Sequence, residues 1–334
     1  MLTAIVAILV FGLLIAFHEL GHFGVAKLVG VKVHEFAIGM GPKIVDFTRG
    51  ETKYTLRLLP IGGYVKMEGE DEASNDERSF NNKSVYARAA ILVAGAMMNF
   101  ILAIILFTIL SYSIGFPITT IDSTMPDSPA EHAGLQSGDK IVEINNNEIK
   151  DWNELVSVIS DSKGEELAVT FLRGENRMTK TIQPFVEEET KRIMIGIVPS
   201  VEKALLPSIG HGFTSVWRII GEMGNFLRQL VTGQARDADV VGPIGIITLV
   251  GEAARAGWLN VVFLAAMISI NLGLINLLPI PALDGSRILF LLVELVRGKP
   301  IDPEKEGRIH FLGFVLLISL MLFVTYKDIL RLFN

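Results

Sequence analysis

Residues Leu2–Val29 read LTAIVAILVFGLLIAFHELGHFGVAKLV. The run is uncharged as far as Phe17, then places His18, Glu19 and His22 within the same apolar stretch. About 20 consecutive apolar residues are enough to cross a bilayer core as a helix. Ionisable side chains inside such a helix are costly and face a polar interior or share a partner. The competing reading is a cleaved signal peptide, which requires a basic segment ahead of the apolar run. Met1-Leu2-Thr3-Ala4 carries no charged side chain, so a retained helix is expected.

Three further segments repeat the pattern. Ala89–Ile109 is interrupted only by Asn99, Trp258–Ile280 contains Asn260, Asn271 and Asn276, and Ile309–Tyr326 is the last. The whole chain agrees with them: of its 334 residues 50% are hydrophobic and 20% charged, and its mean hydropathy is +0.46. The absence of cysteine excludes disulfides and thiolate metal or redox sites. A net charge of −6 argues against a nucleic-acid partner.

Gly115–Pro207 differs in kind. It holds 9 Lys/Arg against 16 Asp/Glu, a formal charge of −7. Short alternating runs such as Lys140–Ile144 and Leu167–Leu172 are separated by turn signals at Asn145-Asn146-Asn147 and Arg173-Gly174-Glu175-Asn176. This predicts a small β-rich domain inserted between the second and third apolar helices. Nine Lys/Arg between Ala26 and Val85 and five between Arg287 and Arg308 put those connections in the cytoplasm and the acidic domain outside.

The chemistry lies in His18-Glu19-Leu20-Gly21-His22. Residues four apart share a helix face, so two imidazoles can grip one zinc ion while the Glu serves as base. The bland reading is a pair of hydrogen-bonded core histidines; the apolar surroundings weigh against it, because three ionisable groups there call for a shared dication. A catalytic zinc takes a third protein ligand and keeps one position for water. Asp284, in Asn276-Leu277-Leu278-Pro279-Ile280-Pro281-Ala282-Leu283-Asp284-Gly285, is a candidate, but spacing alone supports a helix-capping role equally well. Gly39-Met40-Gly41-Pro42 reads as a plain turn. Val216–Leu230 gathers its apolar residues on one helical face and is expected to lie at the membrane interface.

Together these stretches resemble the bacterial site-2 proteases, intramembrane zinc metalloproteases of regulated intramembrane proteolysis. The resemblance runs through His18–Phe23, Gly39–Pro42, Leu59–Met67, Phe80–Val85 and Asn276–Gly285, covering nearly the whole chain. It implies Asp284 as third ligand beside His18 and His22, Glu19 as catalytic base, and one zinc per chain. It also implies a substrate-handling role for Asn276, and for Gly39, Met40 and Gly41 a place in a membrane-associated β-loop that pairs with extended substrate. Ala94-Gly95-Ala96 departs from relatives that often carry Pro after the Gly. The insert, through Ser128–Ile141, resembles a PDZ domain, which either binds an extended peptide or only filters substrates by size.

The expected architecture is a polytopic α-helical membrane protein with four transmembrane helices, a membrane-associated β-loop and an inserted β-rich PDZ domain. The expected divisions are a first helix at 1–29, a cytoplasmic β-rich loop at 30–85, a second helix at 86–113 and the extracytoplasmic PDZ domain at 114–207. An amphipathic region follows at 208–256, then a third helix at 257–286 and a cytoplasmic connection with the fourth helix at 287–334. The implied partners are the lipid bilayer of the bacterial cytoplasmic membrane and single-pass substrates, such as anti-sigma factors or remnant signal peptides. The rival readings are a catalytically silent, membrane-anchored PDZ scaffold and a polytopic transporter with a structural zinc site.

Overall fold

The computed structural model describes residues 1–70, 74–188, 191–234 and 242–333. In chain order the elements are α1 (Leu2–Leu28), β1 (Val33–Arg49), β2 (Thr52–Met67), α2 (Val85–Ile114), β3 (Phe116–Thr124), α3 (Pro129–His132), β4 (Lys140–Ile144) and β5 (Asn147–Glu148). There follow α4 (Trp152–Asp161), β6 (Leu167–Arg173), β7 (Asn176–Ile182), β8 (Phe185–Val186), β9 (Ile193–Met194) and β10 (Ile197–Glu202). The chain closes with α5 (Leu205–Val231), α6 (Pro243–Ala256), α7 (Trp258–Leu277), α8 (Asp284–Arg297) and α9 (Pro303–Phe333). Among the described residues, four helices are long and apolar enough to cross a membrane: Leu2–Leu28, Val85–Ile114, Trp258–Leu277 and Glu304–Leu330. The molecule is helical with an inserted β domain, as expected.

The chain divides into two compact units, Met1–Leu110 with Ile209–Asn334, and Ser111–Ser208. In the first unit α1, α2, α5 and α7 share a core of Val10, Leu14, Leu102, Leu106, Val216, Ile219 and Ile270. Val216 and Ile219 thus pack inward, whereas Phe213 and Trp217 on the same helix α5 are exposed. A second cluster joins α1, the β-hairpin and α2 through Ala26, Val33, Phe36, Val65, Ile91 and Leu92.

The hairpin β1–β2 is bent, because positive φ at Gly39 (86°), Gly41 (81°) and Gly62 (75°) breaks the strand alternation. Val33–Ile38 pairs antiparallel with Gly63–Met67, while the outer part of β1 pairs with the start of β2 (Phe47 with Tyr54, Arg49 with Thr52). Outer residues Ile44, Val45, Phe47, Leu56 and Leu58 are exposed.

Prolines shape the end of α7. Leu278 precedes Pro279 and is extended (φ −69°, ψ 143°), as the pre-proline position requires, so the helix stops at Leu277. After the Leu278–Leu283 loop the chain re-enters helix at Asp284, and α8 ends on Gly298 in the left-handed conformation.

In the second unit the sheet order is β10-β3-β4-β6-β7, with β5 paired to β4. Its core comprises Ile121, Ile141, Ile144, Leu155, Leu167, Val169, Phe171 and Ile182. Ser128 caps α3 by accepting from Glu131 N–H, with Pro129 in the first turn. Asp151 caps α4 by accepting from Glu154 N–H (2.9 Å), and Glu154 accepts in return from Lys150 N–H (2.9 Å). Buried Asp139 accepts from the Arg173 guanidinium at 2.7 and 2.8 Å and from Gln136 N–H at 2.9 Å. Burial pushes its carboxyl upward, and these three donors outweigh that, holding it below the usual aspartate value.

Candidate metal centre

His18 and His22 fall one turn apart on α1 with Glu19 between them, and all three are at least half-buried. α2 can approach this turn only because both helices carry glycine there. A Cβ on Gly21 would lie 2.3 Å from the Ala94 carbonyl oxygen, and one on Gly95 would lie 2.3 Å from His22 Nε2 and 2.8 Å from His18 Cε1. Real Cβ atoms do not tolerate such contacts, so Gly95 is the space the imidazoles occupy.

Each ring is held from behind. His22 Nδ1 is 2.8 Å from the Ile91 carbonyl and therefore donates to it, leaving Nε2 free as a ligand atom. His18 Nδ1 is 3.1 Å from the amide of Asn99, a residue with no exposed surface. In the sequence Asn99 shows only as the polar interruption of an apolar helix. That interruption was the signal, since a fully buried amide in such a helix needs a partner.

Asp284 comes from far along the chain. It is the first helical residue of α8, Leu283 occupies the cap position, and no side chain caps the helix. The Asp284 carboxylate instead turns to the histidines: Oδ2 stands 3.3 Å from both Nε2 atoms, which are 3.2 Å from each other. Zinc bonded at about 2.0–2.1 Å in tetrahedral geometry separates its donor atoms by about 3.3 Å. The three atoms therefore have the spacing of one face of a zinc tetrahedron. Asp284 Oδ2 is also buried without a hydrogen bond, and an orphaned carboxylate oxygen between two imidazole nitrogens fits a dication.

A cavity of about 420 Å³ opens at this face. Glu19 lies on its wall with the three donors, beside Gly63–Met67, Glu70, Leu92 and Arg287. Gly63 brings the strand against α1, since a Cβ there would lie 2.7 Å from Glu19 Cγ. Arg287, one turn beyond Asp284, pairs with Glu70 at the cavity edge. Among the described residues the strand partner of Gly63–Met67 is the inner half of β1, so the other edge of this cavity-lining segment has no strand partner.

Gly39, Met40 and Gly41 are not on this wall. They sit at the bend one strand away, where Met40 packs against Gly62 and a Cβ on Gly39 would lie 2.6 Å from the Leu59 carbonyl oxygen. Asn276 is buried in the last turn of α7 and is not among the lining residues either.

Apolar spanning helices that carry an HExxH turn, an adjoining carboxylate donor and a cavity define a polytopic membrane metalloprotease. Residues 6–320 match the family model described as Peptidase family M50. A protein of Clostridium acetobutylicum that carries a zinc-metalloprotease designation is 42% identical, the alignment covering 97% of this chain and 96% of that protein. The zinc metalloprotease RasP of Oceanobacillus iheyensis is 35% identical, with 100% of each covered. That alignment runs 423 positions against the 334 residues here, so RasP contains additional sequence. The regulator of sigma-W protease RasP of Bacillus subtilis is 33% identical, with 99% of each covered. Among solved structures, the PDZ domain of an SdrC-like protein of Listeria monocytogenes matches 25% of this chain and 86% of its own, at 23% identity and a TM-score of 0.22. The chain belongs to peptidase family M50, the site-2 proteases, and is a zinc metalloprotease of the membrane. The silent scaffold and the transporter are thereby set aside.

Proposed function

We propose that the chain hydrolyses a peptide bond within the transmembrane segment of single-pass proteins, with one zinc ion held by His18, His22 and Asp284 and with Glu19 as catalytic base. The observation that carries this reading is the triangle of donor atoms with edges of 3.2 and 3.3 Å on the wall that also bears Glu19. Zinc bound there would supply Lewis acidity, lowering the pKa of water and polarising the scissile carbonyl. Glu19 takes the proton from the attacking water and returns it to the leaving amine. Asn99 and the Ile91 carbonyl fix the two rings so that Nε2 of each faces the cavity.

A transmembrane helix must unwind before it can be cut, which bares N–H and C=O groups that lipid cannot satisfy. The edge of Gly63–Met67 that has no strand partner offers the complementary row, so unwound substrate adds to β2 as a strand beside the zinc. Asn276 and the Gly39–Gly41 bend are assigned to substrate handling outside the reacting centre. Lys/Arg in the 26–85 and 287–308 connections support placing the hairpin on the cytoplasmic side of the bacterial inner membrane and the PDZ domain outside. Substrates are expected to be anti-sigma factors or remnant signal peptides, as the regulator of sigma-W name of the Bacillus subtilis relative suggests, with extended peptide as a ligand of the PDZ domain.

The test is reconstitution of the purified chain in vesicles with a single-pass substrate and mapping of the products by mass spectrometry. The reading predicts a cut inside the apolar segment; cuts only in the flanking soluble sequence would overturn it.

A further inference from the structure

The loop Leu278–Leu283 presents Asp284; the Ile280 N–H donates to the Leu278 carbonyl (2.7 Å) and the Leu283 N–H to the Ile280 carbonyl (3.1 Å), whereas the Ala282 N–H is bonded outside the loop. Pro279 and Pro281 have no N–H to anchor. Ala282, two residues before Asp284, sits at φ 78°, a conformation that L side chains rarely adopt. Its N–H donates to Nδ1 of His310 on α9, at 3.1 Å. Acceptance at Nδ1 places the ring proton on Nε2, which lies 3.7 Å from Glu306 Oε1 one turn earlier. The ring is fixed further by an edge contact with Phe290 of α8, 5.6 Å between centroids.

A second, independent contact ties the same helix to the same loop. Gly313 is three residues beyond His310, and a Cβ on it would lie 2.2 Å from Pro281 Cβ and 2.6 Å from the Pro281 carbonyl oxygen. The helix backbone therefore rests directly on the loop. Most of α9 is exposed apolar surface, including Phe311, Leu312, Leu316 and Leu320. His310 and Gly313 are where it engages the structure that carries Asp284.

We propose that His310 is a positioning residue: by accepting the Ala282 N–H it holds the loop in the one conformation that sets the Asp284 carboxylate against His18 and His22. The inference rests on reading those three residues as the zinc donors. Residues behind a metal ligand commonly change affinity by about 10–100-fold when removed.

The test compares His310→Asn, His310→Gln and His310→Leu in the full chain purified in detergent, with Asp284→Ala as reference. Zinc per chain is measured after equilibration with graded chelator, and cleavage is measured in parallel. Asn Oδ1 falls close to the position of His Nδ1, whereas Gln carries its acceptor one bond further out. His310→Asn is expected to hold zinc nearly as wild type, and His310→Gln and His310→Leu to release it at about tenfold lower chelator strength. Equal retention by Asn and Gln, or wild-type retention by Leu, would overturn the proposal. Wild-type retention by Asp284→Ala would instead overturn the metal-site reading on which it rests.

Discussion

Gly95 of α2 and His22 of α1 are so close that a Cβ on the glycine would lie 2.3 Å from His22 Nε2. The proposed metal face thus depends on a missing side chain in a different helix from the histidines. Both rings are pinned behind, by the Ile91 carbonyl and by Asn99, and have no room to retreat.

Gly95→Ala is therefore expected to lose zinc and cleavage together while the helices remain. Gly24→Ala is the matched control, because nothing lies within 4 Å of a Cβ there. It should be neutral or gain up to about 1 kcal/mol from helix propensity. Circular dichroism and zinc analysis of the two proteins would check this; zinc retained by Gly95→Ala would contradict the packing account.

Asn99→Leu should weaken zinc retention by about 10–100-fold, since His18 loses the group that orients its ring. Asn99→Asp puts a carboxylate oxygen where Asn99 Nδ2 now stands, 3.1 Å from His18 Nδ1, so that it accepts the Nδ1–H of a ring bonded to metal through Nε2, and should fall between the two. Chelator titration distinguishes them, and identical curves for Leu and wild type would remove Asn99 from the site.

Arg88 of α2 and Glu294 of α8 form a 2.5 Å ion pair that is largely buried. Removing one partner leaves an uncompensated charge, so Arg88→Met should cost about 3–5 kcal/mol. Adding Glu294→Leu should recover most of that loss. A double-mutant cycle on denaturant unfolding in detergent measures the coupling, and additive single effects would show the pair to be inert.

The inserted domain should be acid-sensitive through Asp139. Its folded pKa lies below the unfolded value of about 3.9. The unfolded chain then binds the proton first as pH falls. The stabilisation is complete above pH ~4 and is lost as pH falls through the folded pKa. Hydrogen exchange of β4 and β6 amides in the full chain, corrected for intrinsic rates, should show protection falling below pH ~4. Arg173→Met should lower protection near neutral pH and flatten the acid dependence. An unchanged acid profile in Arg173→Met would contradict this.

What sequence could and could not reveal follows from the range of each interaction. The spanning helices and the His18/His22 pair are local, periodic signals, and the inserted domain shows as alternation between turn residues. Asp284 left ligand and cap equally open, because the choice depends on a contact with a helix at the other end of the chain. The hairpin was harder still. Positive-φ glycines at 39, 41 and 62 break the strand alternation, so the turn signal at Gly39-Met40-Gly41 was legible while the edge at Gly63–Met67 was not. Asn99 stood out as a polar residue in an apolar run, but its partner could be named only once α1 and α2 were packed together.

The most direct measurement pairs zinc content with peptide-bond hydrolysis in wild type and Glu19→Gln. The amide is nearly isosteric with the carboxylate but cannot take the proton from water. One zinc per chain in both proteins, with cleavage lower by about 10²–10⁴-fold in Glu19→Gln, is the predicted result. Cleavage by Glu19→Gln at the wild-type rate, or no zinc in the wild-type protein, would contradict it.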